Sequence, residues 1–341
     1  MIRQTSDGPQ ASVELASMSH VGQVRSANED SCETSSRDDG TRLLVVADGM
    51  GGHRGGATAS STAVAAILET FETDAVEGND TVLRDAIESA NARIFEMAQS
   101  DAELEGMGTT VVAFVLDARH NAMVAHVGDS RCYRYRRGHL EALTTDHSVV
   151  AEMQRRGLIS AEEAAVHPRR NEILRSVGVA AQVEVEVRPV EVAAGDRFVL
   201  CSDGLSGVVS DDEIATIVST QPPEAAVEAL ISVANERGGP DNITVQILSI
   251  PSSLADRDPE TTESIELSEP GVEAIESRRR LRAPAPRIGV VVLIIAALIG
   301  LYLLSRLLRD DTPNAAEEQG PVPVVDRFEI ESQPPRRGIP R

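Results

Sequence analysis

The apolar residues of this chain fall into short runs, and several of the runs stop at an aspartate beside glycine or asparagine. Residues 43–47 carry no polar side chain, which predicts a strand buried on both faces, and Asp48-Gly49 follows directly. Residues 122–127 lead into Gly128-Asp129-Ser130-Arg131, and 197–201 lead into Ser202-Asp203-Gly204. Asp241-Asn242 immediately precedes the apolar stretch 243–250. Residues 111–116, 132–136 and 140–143 also read as strands, with turns at Arg119-His120-Asn121 and Arg137-Gly138, so this part forms a meander. Residues 13–18 and 183–192 alternate; Pro189 places the second of these at a sheet edge.

Helical periodicity appears at 57–71 and at 81–99, the latter with Asn79 or Asp80 as its cap. Further helical segments are expected from 145 to about 157 and at Ser160-Ala161-Glu162-Glu163, which has capping-box spacing. Ser210 with Glu213 caps another helix, and 222–236 is amphipathic up to Gly238-Gly239-Pro240. The stretch 147–178, with a short element at 171–177, is charged and poor in strand signal, and reads as a surface flap. Residues 22–30 read as a polar loop.

Outside 12–250 the pattern changes. Residues 1–11 are polar, and 251–277 are acidic and rich in Pro, Ser, Thr and Glu, so both are expected to be disordered. Arg278, Arg279, Arg280, Arg282 and Arg287 then precede residues 288–304, which contain no charge. At about 1.5 Å per residue that run is just long enough to span a bilayer. More arginine lies before it than after it (Arg306, Arg309), which places 12–250 in the cytoplasm and the short tail outside. The expected organisation is a single-pass membrane protein: a domain at 12–250, a linker at 251–287, a span at 288–304 and a tail at 305–341.

Composition sharpens this picture. All 32 basic residues are arginine, against 54 acids, for a net charge of −22. An acidic domain argues against nucleic-acid binding and is compatible with cation binding. A Gly-rich phosphate loop after Asp48 would need a lysine, and the chain has none. Cys32, Cys132 and Cys201 show no disulfide or CxxC spacing, which suggests a reducing compartment and packing roles. If the strands lie in packed antiparallel sheets, Asp48, Asp129, Asp203 and Asp241 converge on one rim. Four carboxylates together need counter-charge. Oxygen ligands suit Mg²⁺ or Mn²⁺, and the sequence shows no Cys/His cluster for Zn²⁺.

Read in order, a set of motifs resembles the bacterial type 2C metal-dependent (PPM) Ser/Thr protein phosphatases. These are Arg25-x-x-Asn28-Glu29-Asp30, Asp48-Gly49-Met50-Gly51-Gly52-His53, Gly108-Thr109-Thr110, Val127-Gly128-Asp129-Ser130-Arg131, Asp146-His147-Ser148, Ser202-Asp203-Gly204 and Gly239-x-Asp241-Asn242-Ile243-Thr244. The resemblance covers about 12–250. It implies an α+β fold of two packed antiparallel sheets flanked by helices, a four-layer α-β-β-α sandwich. It implies two Mn²⁺ or Mg²⁺ ions, with Asp48 bridging them, the Gly49 carbonyl assisting one, and Asp203 and Asp241 holding the other. Asp129 with Asp203 matches the third-metal site of bacterial members. Arg25 matches the phosphate-binding arginine; Glu29, Asp30 and Asn242 match residues that support the ligands. The implied reaction is hydrolysis of phosphoserine and phosphothreonine by metal-activated water, on phosphorylated proteins, opposing a bacterial Ser/Thr kinase. Two positions depart from the pattern. His20 stands where many bacterial members have Asp, and Met50 stands where eukaryotic members carry a proposed general-acid His. His53 is the nearest candidate to protonate the leaving alkoxide. The alternative is a catalytically inactive, membrane-tethered scaffold of the same fold.

Overall fold

The computed structural model describes residues 13–52, 54–73 and 79–252. The lead-in, His53, nearly all of the linker, the apolar run 288–304 and the tail lie outside the described residues. Among the described residues no helix is long and apolar enough to cross a membrane.

The elements in chain order are β1 (Glu14–His20), β2 (Asp30–Ser36), β3 (Arg42–Met50), α1 (Gly55–Thr73) and α2 (Asn79–Ser100). A meander follows: β4 (Gly108–Thr109), β5 (Val111–Leu116), β6 (Ala122–Val127), β7 (Arg131–Arg136) and β8 (His139–Ala142). Next come α3 (Val149–Arg155), α4 (Ala161–Ala165), β9 (Glu186–Val190), β10 (Arg197–Cys201), α5 (Asp203–Ser206), α6 (Asp211–Thr220), α7 (Pro223–Glu236) and β11 (Ile243–Ser249). All pairings are antiparallel, in two sheets ordered β1-β11-β10-β7-β8 and β2-β3-β5-β6-β9, with β4 on β3.

Strand alternation sorts the side chains into three cores. On β3, Leu43, Val45 and Ala47 face α1 and α2, while Leu44 and Val46 face the other sheet. On β10, Phe198 and Leu200 point between the sheets, and Val199 and Cys201 pack with α6 and α7. The result is the expected four layers, helix on sheet on sheet on helix. Aromatics are few, so the inter-sheet core rests on aliphatics around one stacked pair, Phe114 and Phe198, with centroids 4.5 Å apart.

Three features depart from the pattern reading. β2 is a strand although its sequence, DSCETSS, is polar; it is a sheet edge, and its pairing with β3 supplies the order its side chains do not. The segment 171–177 forms no helix or strand, only isolated bridges Ser148↔Ile173 and Thr109↔Val177. The helix expected from 145 begins at Val149, because Ser148 caps it by accepting the Ala151 N–H. The two capping boxes, Ser160 with Glu163 and Ser210 with Glu213, form as the spacing indicates.

Truncating the inter-sheet stack leaves a cavity that two rigid sheets cannot close. Phe198→Ala is expected to lower unfolding free energy by about 3–5 kcal/mol. Leu158→Ala, at a side chain 64% exposed, is expected to change it by less than about 0.5 kcal/mol. Chemical denaturation of the two variants checks this.

Candidate active site

The strand ends and their loops place acids from five parts of the chain around one cavity. Its volume is about 340 Å³, and Arg25, Glu29, Asp48, Gly49, Asp129, Asp203, Asp241 and Asn242 line it. Met50, Gly51, Gly52, Thr110 and the flap residues Asn171 and Ile173 complete the lining. Every site residue expected from the sequence that lies among the described residues is at this cavity or directly beneath it.

Asp48 is fixed through its backbone. Its N–H donates to Thr110 Oγ1 (3.0 Å), and its carbonyl accepts from Thr110 N–H and Thr109 Oγ1 (2.8 Å each). Thr110 Oγ1 in turn contacts Ser130 Oγ at 2.7 Å, joining the Gly-Thr-Thr motif to the turn that carries Asp129. Gly49 has no room for a side chain: a Cβ would lie 2.2 Å from the Gly56 carbonyl oxygen and 2.5 Å from that of Glu29.

Asp30 pairs with Asp48 across β2 and β3, which brings the two acids side by side. Asp30 Oδ2 accepts from Ser202 Oγ (2.8 Å) and Thr244 Oγ1 (2.6 Å), so it also ties β2 to the other sheet. Asp203 follows Ser202 at the start of α5. Its neighbour Gly204 abuts the Asn242 carbonyl, where a Cβ would sit at 1.9 Å.

Asn242 organises the Arg25 loop. Its Nδ2 donates to the carbonyls of Val21 and Ala27 (2.9 Å each), and its Oδ1 accepts the Glu29 N–H (2.8 Å). Arg25 Nη2 then reaches Asp241 Oδ2 at 2.8 Å, while Asp241 Oδ1 accepts the Asn242 N–H. The polar loop expected at 22–30 is therefore pinned to the start of β11.

Electrostatics set the character of the cavity. Burial, and then Asp30, Asp203 and Asp129, hold the Asp48 carboxyl well above its ordinary range. Burial and the neighbouring acids push Asp30 and Asp129 up to about 7. Asp203 is raised by burial and Asp241. Asp203 Oδ1 and Asp30 Oδ1 are buried with no hydrogen-bond partner among the described residues. Unpartnered carboxylate oxygens in an all-oxygen donor set fit a hard divalent cation, which would lower all four acids together.

The cysteines do not take part. Cys132 and Cys201 are buried; burial pushes the Cys201 thiol up to about 12 and raises those of Cys132 and Cys32. None lines the cavity. Asp146 is occupied by the Arg131 guanidinium, through Nε (2.9 Å) and Nη2 (2.8 Å). Sequence reasoning missed Asn171 and Ile173, which reach the cavity only because the flap folds back on Ser148. It also missed Ser202 and Thr244, polar residues turned into the space between the sheets. One mixed His/Glu cluster does exist, at His126, His147 and Glu186. The intervals of 21 and 39 residues hide it from spacing.

The comparisons with known proteins agree with this geometry. A family model described as protein phosphatase 2C matches residues 19–245. The serine/threonine phosphatase stp of Listeria monocytogenes (strain EGD-e) is 41% identical over 232 residues, covering 67% of this chain and 92% of the relative. The serine/threonine protein phosphatase PstP of Mycobacterium tuberculosis (strain H37Rv) is 41% identical over 239 residues, 69% of this chain and 44% of its own length. The solved Streptococcus agalactiae serine/threonine phosphatase superposes with a TM-score of 0.66 at 37% identity, covering 70% of this chain and all of that one. A structure of the PstP catalytic domain in complex with two manganese ions gives 0.61 at 36% identity, over 70% of this chain and 98% of that one. With two thirds of its length matched by the family model and its acids gathered at one rim, the chain belongs to the protein phosphatase 2C family.

Proposed function

We propose that this protein is a metal-dependent phosphatase that hydrolyses phosphoserine and phosphothreonine on proteins, opposing a protein kinase. One observation carries the reading: Asp48, Asp129, Asp203 and Asp241 share a cavity with Arg25, and there the buried Asp203 Oδ1 lacks a partner among the described residues. Asp48, the Gly49 carbonyl, Asp203 and Asp241 would hold two Mn²⁺ or Mg²⁺ ions, and Asp129 with Asp203 would hold a third. When bound, the ions supply Lewis-acid activation of water and neutralise phosphoryl charge.

The rest is the work of this chain's own side chains. Arg25 offers a planar fork of N–H donors to the phosphoryl oxygens, and Asp241 holds that fork in place. Asn242 keeps the loop in register. Glu29 lines the cavity wall with its N–H held by Asn242, and Asp30 accepts from Ser202 and Thr244 beneath the site. Ile173 and Met50 give the cavity an apolar border beside the phosphate-binding residues. His53 is proposed to protonate the leaving alkoxide. The inactive-scaffold alternative gains no support, because the acids and Arg25 are assembled rather than dispersed.

We also propose that residues 288–304 anchor the chain in the membrane with the catalytic part on the cytoplasmic side, and that a bacterial Ser/Thr kinase supplies its phosphorylated substrates. The arginines at 278–287 and the uncharged run after them support the anchor.

With Mn²⁺, the full chain is expected to hydrolyse phosphoserine and phosphothreonine peptides, and EDTA to abolish this. Asp203→Asn should lower kcat/KM at least about 100-fold. In the same assay His53→Ala should slow peptide hydrolysis more than hydrolysis of p-nitrophenyl phosphate, whose leaving group departs without a proton. Full Mn²⁺-dependent activity in Asp203→Asn would refute the ligand assignment.

A pH dependence follows for the metal-free chain. Asp30 and Asp129 titrate at about 7 when folded, and at about 4 when unfolded. The unfolded chain therefore releases protons first, so their contribution to stability is fully present below about pH 4 and is lost as pH rises towards 7. In EDTA, the melting temperature of the native chain should fall relative to Asp129→Asn across that window, and Mn²⁺ should close the gap. A gap that widens as pH falls would contradict this. For the anchor, the chain should remain in the membrane pellet after alkaline carbonate extraction, whereas a chain ending at residue 287 should be released.

A further inference from the structure

The flap and the Asp129 turn meet at one residue. The His147 backbone N–H donates to the Gly128 carbonyl (2.9 Å), and the Gly128 N–H donates to His147 Nδ1 (3.2 Å). Gly128 has φ +106°, and a Cβ there would lie 2.6 Å from Thr110 Cγ2, so the turn has little freedom of its own to relax. On its other side, the His147 carbonyl accepts the Leu174 N–H (2.6 Å), and the Val149 N–H reaches the Glu172 carbonyl (2.9 Å). Ile173, between those two bonds, lines the catalytic cavity together with Asn171.

The His147 ring is buried and stacks on His126, with centroids 4.5 Å apart and planes 21° apart. His126 Nε2 lies 2.9 Å from the Thr145 carbonyl oxygen. With Glu186 these rings have the composition of a metal site, but not its geometry. Imidazole lone pairs lie in the ring plane, so two nearly parallel stacked rings do not converge on one ion. His147 Nδ1 already accepts a proton donor, so the neutral ring carries its own proton on Nε2, towards Glu186 Oε2 at 3.5 Å. The Arg175 guanidinium, 3.5 Å from that same nitrogen, would repel a cation.

We infer that His147 is a positioning residue: its Nδ1 holds the Gly128–Asp129 turn in the conformation that binds a cation, and its backbone ties that turn to the flap segment at the cavity. The inference rests on Asp129 belonging to the metal-binding set proposed above. It follows the general pattern in which hydrogen bonds behind a ligand set its orientation. It also gives the flap a direct mechanical route to the metal site, since movement of residues 172–174 pulls on the same residue that clamps Gly128.

Two variants separate this role from simple packing. His147→Asn puts an amide oxygen where Nδ1 stands, and His147→Gln puts one where Nε2 stands. Titrating Mn²⁺ into the full-length variants by calorimetry should leave His147→Asn within about twofold of the native chain. His147→Gln should weaken the Mn²⁺ site that includes Asp129 about tenfold. In an Asp129→Asn background the two variants should bind Mn²⁺ alike. Equal shifts in both variants, no shift in either, or a difference that survives Asp129→Asn would overturn the inference. A measurement on the native chain needs no variant: the Gly128 amide should exchange slowly with solvent, and rapid exchange would show that the clamp does not hold. If Asp129→Asn alone binds Mn²⁺ as the native chain does, Asp129 leaves the ligand set, and the coupling falls with that reading rather than with the His147 contact.

Discussion

Mutual repulsion among crowded, largely desolvated carboxylates is the constraint on which this structure turns. Asp48 lines the cavity only partly exposed, and burial together with Asp30, Asp203 and Asp129 disfavours its charge. The arginine at the cavity, Arg25, is half exposed and engages Asp241. A single such cation does not offset four acids. The fold nevertheless holds the acids together, at strand ends and turns whose backbones are locked by hydroxyls and amides. Local stability has been given up for a site that a divalent cation completes.

The sandwich explains how the acids can be held so firmly. Two antiparallel sheets pack through Leu44, Phe114, Phe198 and Leu248, and that dry core fixes where each strand ends. At the cavity end the inter-sheet space turns polar: Asp30 bridges to Ser202 and Thr244, so the two sheets are stapled beneath the site. Gly49, Gly56 and Gly204 remove side chains where backbone must touch backbone or the Glu29 carboxylate. The flap contributes differently, reaching the cavity through Asn171 and Ile173 while its root is bonded to His147.

Much of this was legible in the sequence, for physical reasons. Leu43 to Ala47 shows no polar residue because both faces of β3 are buried, and Asp48 is conspicuous because such a run has no other reason to end in an acid. The four Asp-bearing strand ends, the meander and both capping boxes follow from local rules. What was hidden depends on pairing. β2 has no strand signal of its own and exists because β3 orders it. The roles of Ser202 and Thr244 appear only once two sheets face each other. The stacking of His126 on His147, and the approach of Ile173 to the cavity, join positions that no local spacing connects. His53 and the run 288–304 remain readings of the sequence, outside the described residues.

The aspartate rim is the proposed seat of the catalytic ions. Crystals of the full chain grown with Mn²⁺, measured at the manganese absorption edge, test it directly. At least two anomalous peaks are expected in the cavity, within bonding distance of Asp48, Asp203 and Asp241 oxygens, and none between His126 and His147. A cavity without anomalous density, or a peak at the histidine pair instead, would contradict the account.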